Sequence, residues 1–220
     1  MAALQIKQHM NDSHLHKHHM GWYSRGYLPH FDQPGLCQSI NFRLYDSVPI
    51  EVIVKWREEL EHQYTKLPNK NIDAEIEASL RHRIVEYEDA GHGKCWLRDS
   101  RIAVLVENAL LHFDGQRYRL LAWCIMPNHV HTLIETMPKY SLSQILHTWK
   151  SFTALQANRS LVRTGIFWAR EYYDRFIRND RHFTDVLNYI EQNPVKAGLV
   201  KNAADWKFSS AYQDRRKGIS

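Results

Sequence analysis

The sequence predicts an α+β sandwich, with antiparallel strands and helices packed on one face. Three observations carry this prediction. Leu36–Asp46 (LCQSINFRLYD) alternates with the period of two that a half-buried strand needs. Two apolar runs, QRYRLLAWCIM and HVHTLIE, flank a Pro127–Asn128 turn and read as a hairpin. Residues 101–115 (RIAVLVENALLHFDG) place apolar side chains at helical spacing instead. The resulting order, strand, helix, hairpin, helix, is that of an antiparallel sheet with helices laid on it.

The elements follow in chain order. Residues 1–20 hold five histidines without strand or helix periodicity. They read as a flexible tail with adventitious metal affinity. GWYSRGYLPHFDQPG is turn-rich and aromatic, a segment expected to lie across the domain. After the first strand, Pro49 opens a helix, PIEVIVKWREELEHQY, because its missing N–H costs nothing in a first turn. LPNKN breaks that helix, residues 72–90 are charged and helical, and GHGK breaks again. Ser100 fits the N-cap of the next helix and Gly115 its C-terminal stop. Beyond the hairpin, SLSQILHTWKSFTALQANRSL is helical and GIFWAREYYDRFIRND is mixed and aromatic. RHFTDVLNYIEQN is helical, ended by Pro194 and Gly198. This gives one domain over 21–215 with a helical insertion near 60–92, a tail over 1–20 and another over 216–220.

Composition sets the outer limits. The chain has 220 residues, 44% hydrophobic and 24% charged, which suits a globular fold rather than disorder. No apolar run approaches the roughly 18 residues that cross a bilayer, and the polar N-terminus does not read as a signal peptide. The expectation is a cytoplasmic protein. Cys37, Cys95 and Cys124 are few, odd in number and far apart, which points to reduced thiols. Charge is uneven: residues 139–220 hold 14 Lys and Arg against 7 Asp and Glu, residues 1–138 hold 15 against 17. A basic C-terminal part on a near-neutral body suits a polyanionic partner.

The chemistry sits in two short stretches. In a strand, residues i and i+2 point the same way, so His129 and His131 of CIMPNHVHTLIE present two imidazoles from Cα atoms about 7 Å apart. That spacing lets both rings converge on one ion, while Val130 points into the core. Two histidines bonded to backbone or water at a sheet surface would show the same pattern. In LNYIEQNPVKAG, Tyr189 and Asn193 are four apart on a predicted helix and share a face. A tyrosine is a possible covalent nucleophile and an asparagine oxygen can bind a hard cation. A packed tyrosine and a helix-end asparagine are the plain alternative.

Taken together, MPNHVHTLIE, FWAREYYDRFIRND, HFTDVLNYIEQNPVKAGLV and WKFSSAY resemble the HUH-type single-tyrosine transposases, and among them the REP-associated tyrosine transposases. RGYLPHF, INFRLYDSVP and WLRDSRIAVLVENAL extend the resemblance over most of residues 21–212. The resemblance implies a ferredoxin-like antiparallel sheet with helices packed on it, the HUH endonuclease fold. It implies His129 and His131 as metal ligands, Tyr189 as nucleophile and Asn193 as third ligand, in a position where relatives often carry Gln. It further implies cleavage of single-stranded DNA beside a hairpin of the REP-like palindrome type, through a 5′-phosphotyrosine, by a monomer or homodimer with no membrane partner. A phosphate substrate favours Mg2+ or Mn2+ over zinc. The charged stretch near 60–92 and the His-rich tail lie outside the pattern.

For DNA contacts, Lys150, Arg159, Arg163, Arg170, Arg175, Arg178 and Lys196 are the phosphate candidates. Trp149, Trp168, Tyr172 and Tyr173 are candidates to stack bases or to pack in the core. Tyr172 and Tyr173 are rival nucleophiles, ranked lower because neither has an amide one turn later. Glu135 can orient a metal ligand, and His147 and His182 read as surface or packing residues. Two other classes compete: a hairpin-binding protein without catalysis, and a zinc hydrolase built on the His-x-His pair.

Overall fold

A computed structural model describes residues 21–24, 29–64 and 72–212. The two tails at 1–20 and 216–220 lie outside the described residues. Short strands β1 (Gly21–Ser24) and β2 (Pro29–Asp32) pair with each other. The main sheet holds β3 (Cys37–Leu44), β4 (Tyr118–Ile125), β5 (His129–Thr136) and β6 (Trp168–Phe176). All its pairs are antiparallel and the order is β4-β5-β3-β6. The helices are α1 (Ile50–Tyr64), α2 (Ile72–Asp89), α3 (Ser100–His112), α4 (Leu142–Ser160) and α5 (Asp180–Lys196). With the first and third strands central, this is the ferredoxin-like arrangement.

The helices cover both faces of the sheet, which corrects the expectation of one covered face. Ile40, Phe42, Val130 and Ile134 point toward Ile102, Val106 and Leu110 of α3 and Ile145 and Trp149 of α4. The alternate residues point the other way: Ala122, Cys124 and Leu133 meet Ile190, with Phe183, Val186 and Leu187 of α5 around them. His129 and His131 share the parity of Leu133, so they face α5. Strand β5 is buried nearly throughout for the same reason.

α1 and α2 form a helical hairpin with its own small core, in which Ile53 and Leu60 meet Ile76 and Leu80. Arg83 bridges to Glu59 across the hairpin at 2.7 Å. The end of α2 returns to the sheet. There Glu88 accepts from Asn41 Nδ2 at 2.9 Å and pairs with Arg43 Nε at 3.4 Å, both on β3.

Other expectations shift locally. The segment read as turn-rich contains β1 and β2, and the mixed aromatic segment contains β6. The N-cap of α3 is Asp99, not Ser100; its carboxylate accepts from Arg101 N–H at 2.9 Å. Pro194 lies inside the last turn of α5 rather than ending it, and Gly198 takes the left-handed conformation just beyond, at φ 67°. No helix among the described residues is long and apolar enough to cross a membrane.

Candidate metal centre and nucleophile

The site starts at the β4–β5 turn. Asn128 Nδ2 donates to the carbonyls of Glu88 (3.1 Å) and His92 (2.9 Å), which fixes the amide's orientation. Its Oδ1 is therefore the acceptor, and His129 Nδ1–H donates to it at 2.7 Å. A neutral ring protonated on Nδ1 carries its lone pair on Nε2. That lone pair meets Nε2 of His131 at 2.9 Å, with the two rings at 88°.

Both imidazoles are buried. Burial, with His131 close by, pushes His129 well below the usual histidine range. Burial and the Lys196 charge push His131 down to about 3. Both rings are thus neutral at physiological pH, the state in which imidazole binds a metal. The carboxylate of Asp89 is beside them, its Oδ1 3.6 Å from His129 Nε2. One donor atom each from Asp89, His129 and His131 falls within a 4.8 Å cluster. Asp89 is half-buried, and that burial raises its carboxyl to about 6, against the pull of Lys196. Glu88 is fully buried and raised to about 7, with Arg43 and Asn41 pulling it back.

Tyr189 comes from α5. Its ring stands edge-on to His131, centroids 5.5 Å apart, with Lys196 Nζ 4.6 Å from the ring centre. Burial and the Asp89 charge push the phenol up to about 12, while the Asn193 amide beside it acts the other way. Asn193 is itself fully buried, and neither atom of its amide has a hydrogen-bond partner of ordinary geometry. Such a group is costly unless something else takes up its oxygen. Two neutral imidazole nitrogens, a carboxylate and an unengaged amide oxygen suit a divalent cation. The fold thus brings His129, His131 and Tyr189 to one place, with Asn193 one turn past the tyrosine. Asp89 was missed, because nothing in the periodicity of α2 ties its last residue to a strand forty positions on.

The proposed DNA contacts divide. Arg159, Arg170, Arg175, Arg178 and Lys196 are exposed. Trp149 is 2% exposed and donates from Nε1 to the Tyr118 hydroxyl at 2.9 Å. It is a core residue, and both ring faces are covered against a base. Trp168 and Tyr172 are likewise buried, the latter stacked on His30 at 4.2 Å. Lys150 Nζ donates to the carbonyls of Ala169 (2.7 Å) and Arg170 (2.8 Å). Arg163 donates to Asn158 Oδ1 (2.9 Å) and to the Ile166 carbonyl (3.1 Å). These two cations are thus engaged with carbonyl and amide oxygens of their own chain. Tyr173 sits under the Arg81 guanidinium at 4.1 Å. Glu135 pairs with Arg119 at 2.9 Å rather than orienting a histidine. His182 accepts from Arg178 N–H at 3.2 Å.

The family model described as Transposase IS200 like matches residues 102–193, from α3 to the last turn of α5. The chain is 30% identical over 119 residues to the REP-associated tyrosine transposase of Escherichia coli, a match covering 52% of this chain and 68% of that one. It is 32% identical over 113 residues to a Haemophilus influenzae protein provisionally named REP-associated tyrosine transposase, covering 46% of this chain and 64% of the relative, just short of two thirds. Among solved structures, a REP-associated tyrosine transposase bound to a REP hairpin is similar with a TM-score of 0.53 at 18% identity, over 91% of this chain and 88% of that one. The last likeness shows a shared fold.

Proposed function

The chain belongs to the REP-associated tyrosine transposase family, and from that premise we propose that it is a metal-dependent endonuclease and strand transferase acting on single-stranded DNA beside hairpins of the REP-palindrome type. One observation carries the reading: the Tyr189 ring stands 5.5 Å from that of His131, whose Nε2 faces that of His129 at 2.9 Å. A nucleophile and a pair of metal-ready nitrogens from distant parts of the chain meet on one face of the sheet. The solved relative's REP hairpin supports the choice of substrate.

His129, His131 and Asn193 would hold a Mg2+ or Mn2+ ion, which would supply Lewis-acid chemistry at the scissile phosphate. Asn128 keeps the His129 lone pair turned inward. Tyr189 Oη forms the bond to phosphorus as the bond from phosphorus to the 3′ oxygen breaks. The phenol gives up its proton, and the departing oxygen gains one to become a free 3′-OH. The DNA stays attached as a 5′-phosphotyrosine. A 3′-OH then attacks that phosphorus, restores a phosphodiester and returns the phenol, so strand transfer needs no outside energy source. With its phenol up at about 12 in the free protein, Tyr189 stays protonated until a substrate site is assembled around it.

The test uses labelled single-stranded DNA carrying a hairpin, incubated with the protein and Mn2+. A covalent adduct that survives a denaturing gel is expected. Tyr189→Phe should abolish it and His129→Ala should suppress it through metal loss. An adduct persisting in Tyr189→Phe moves the role to another tyrosine. Tight binding with no adduct on any hairpin substrate favours a binding protein without catalysis.

A further inference from the structure

We infer that Asp89 is a direct cation ligand, delivered to the His129–His131 centre by the α1–α2 hairpin, an element lying outside the 102–193 family match. The inference rests on the reading of His129 and His131 as the metal-binding pair and adds a ligand to it. Distance is the first argument. Two donors each about 2.1 Å from one ion are about 3.0 Å apart at a right angle and about 3.4 Å apart at a tetrahedral angle. The observed spacings are 2.9 Å between the two Nε2 atoms and 3.6 Å from His129 Nε2 to Asp89 Oδ1. Each of the two is a separation that neighbouring ligands around a single ion can take, and all three donor atoms lie within 4.8 Å of one another.

The second argument is the state of the oxygen. Asp89 Oδ1 is buried and accepts no hydrogen bond. A carboxylate oxygen facing two neutral imidazoles is costly there unless a cation joins the group.

The third is how firmly the residue is held. Asp89 is the last residue of α2. Just before it, Glu88 is bound through its side chain to Asn41 and Arg43 and through its carbonyl to Asn128. Just after it, the His92 carbonyl takes the other Asn128 donor. Asn41 and Arg43 are the register partners of His131 and His129 on β3. Glu88 and Asn128 therefore tie the end of α2 to His129, and β3 carries the partners of Glu88 directly opposite both histidines, as a preorganised site requires. A carboxylate also hardens the donor set and biases it toward Mg2+ or Mn2+.

Mn2+ binding by the full chain without DNA tests this, followed by calorimetry and by the electron paramagnetic resonance of bound Mn2+. Losing a residue that merely orients a ligand costs about 10–100-fold in metal affinity. Asp89→Asn, which keeps the side chain's size, should thus weaken Mn2+ by about tenfold or more and alter the resonance. Asp89→Glu should recover part of the loss, and Tyr189→Phe should bind Mn2+ as the wild type does. Unchanged unfolding of Asp89→Asn in chelator separates ligand loss from misfolding. If Asp89→Asn binds Mn2+ like wild type while His129→Ala does not, Asp89 is no ligand and the Tyr189 reading stands. A wild-type protein that binds no Mn2+ overturns both.

Discussion

Cys37 shows how strongly the α5 side of the sheet acts on a single group. It lies at the start of β3 among the apolar residues beneath α5, directly opposite Glu135 on β5. Burial, and then the Glu135 charge, push its thiol from 9.0 up to about 12, while Arg119 pulls the other way. The folded state thus favours the protonated thiol. Its contribution to stability is complete below pH 9, where the unfolded thiol also keeps its proton, and is lost as pH rises from 9 to about 12. Burial raises Cys95 and Cys124 as well. Ultraviolet titration of the native protein should therefore show no thiolate with a midpoint at or below pH 9, whereas the urea-unfolded chain should titrate near 9. Glu135→Gln should bring the Cys37 midpoint down. A native thiolate appearing at neutral pH would contradict this account of the sheet face.

Among the elements, the turn after α2 carries the most consequence per residue. Gly93 has φ 85°, and a Cβ there would lie 2.6 Å from the Asp46 carbonyl oxygen. Its neighbours are both committed, the His92 carbonyl to Asn128 and the Lys94 N–H to Asp46 Oδ2 at 2.9 Å. Gly93→Ala should cost about 1–3 kcal/mol in urea unfolding. It should also weaken Mn2+ binding, because the turn helps hold the residue that orients His129. Gly115→Ala is the control: φ is 74° but nothing lies within 4 Å of the added carbon. Equal losses in the two variants would mean that backbone strain alone accounts for both. What the sequence revealed follows the same local logic. β3, α3 and α4 were legible because each keeps its period over most of its length, and the β4–β5 hairpin, although β4 bulges between Leu120 and Ala122, because the Pro127–Asn128 turn parts two apolar runs. β6 was not: its pairing with β3 slips between Phe42 and Leu44, and such a bulge breaks the alternation that marks a strand. The face chosen by α5 was hidden because element order fixes neighbours, not sides. Within the site, His129 and His131 were legible from two-residue spacing and Tyr189 with Asn193 from a single helical turn. Asp89 was not, since its place depends on how a separate helical hairpin docks.

Across the whole molecule, the excess of positive charge after residue 138 sets how binding to a polyanion responds to salt. Each phosphate neutralised by a lysine or arginine releases counterions and contributes roughly one unit to the slope of log affinity against log salt. A cation already donating to its own chain has fewer donors left to offer a phosphate. Arg159, Arg170, Arg175 and Arg178 are exposed, whereas Lys150 and Arg163 donate to carbonyls of their own chain. Hairpin DNA affinity, measured by fluorescence anisotropy over a series of salt concentrations, should therefore separate the two groups. Each exposed arginine that meets a phosphate, changed to alanine, should weaken binding and lower the slope's magnitude by about one. Lys150→Ala and Arg163→Ala should leave the slope nearly unchanged and act instead on unfolding. If none of the four exposed arginines alters the slope, the DNA path does not cross β6 and the end of α4. The footprint would then have to be sought around Lys196 and the mouth of the metal centre, where a scissile phosphate must come within reach of Tyr189.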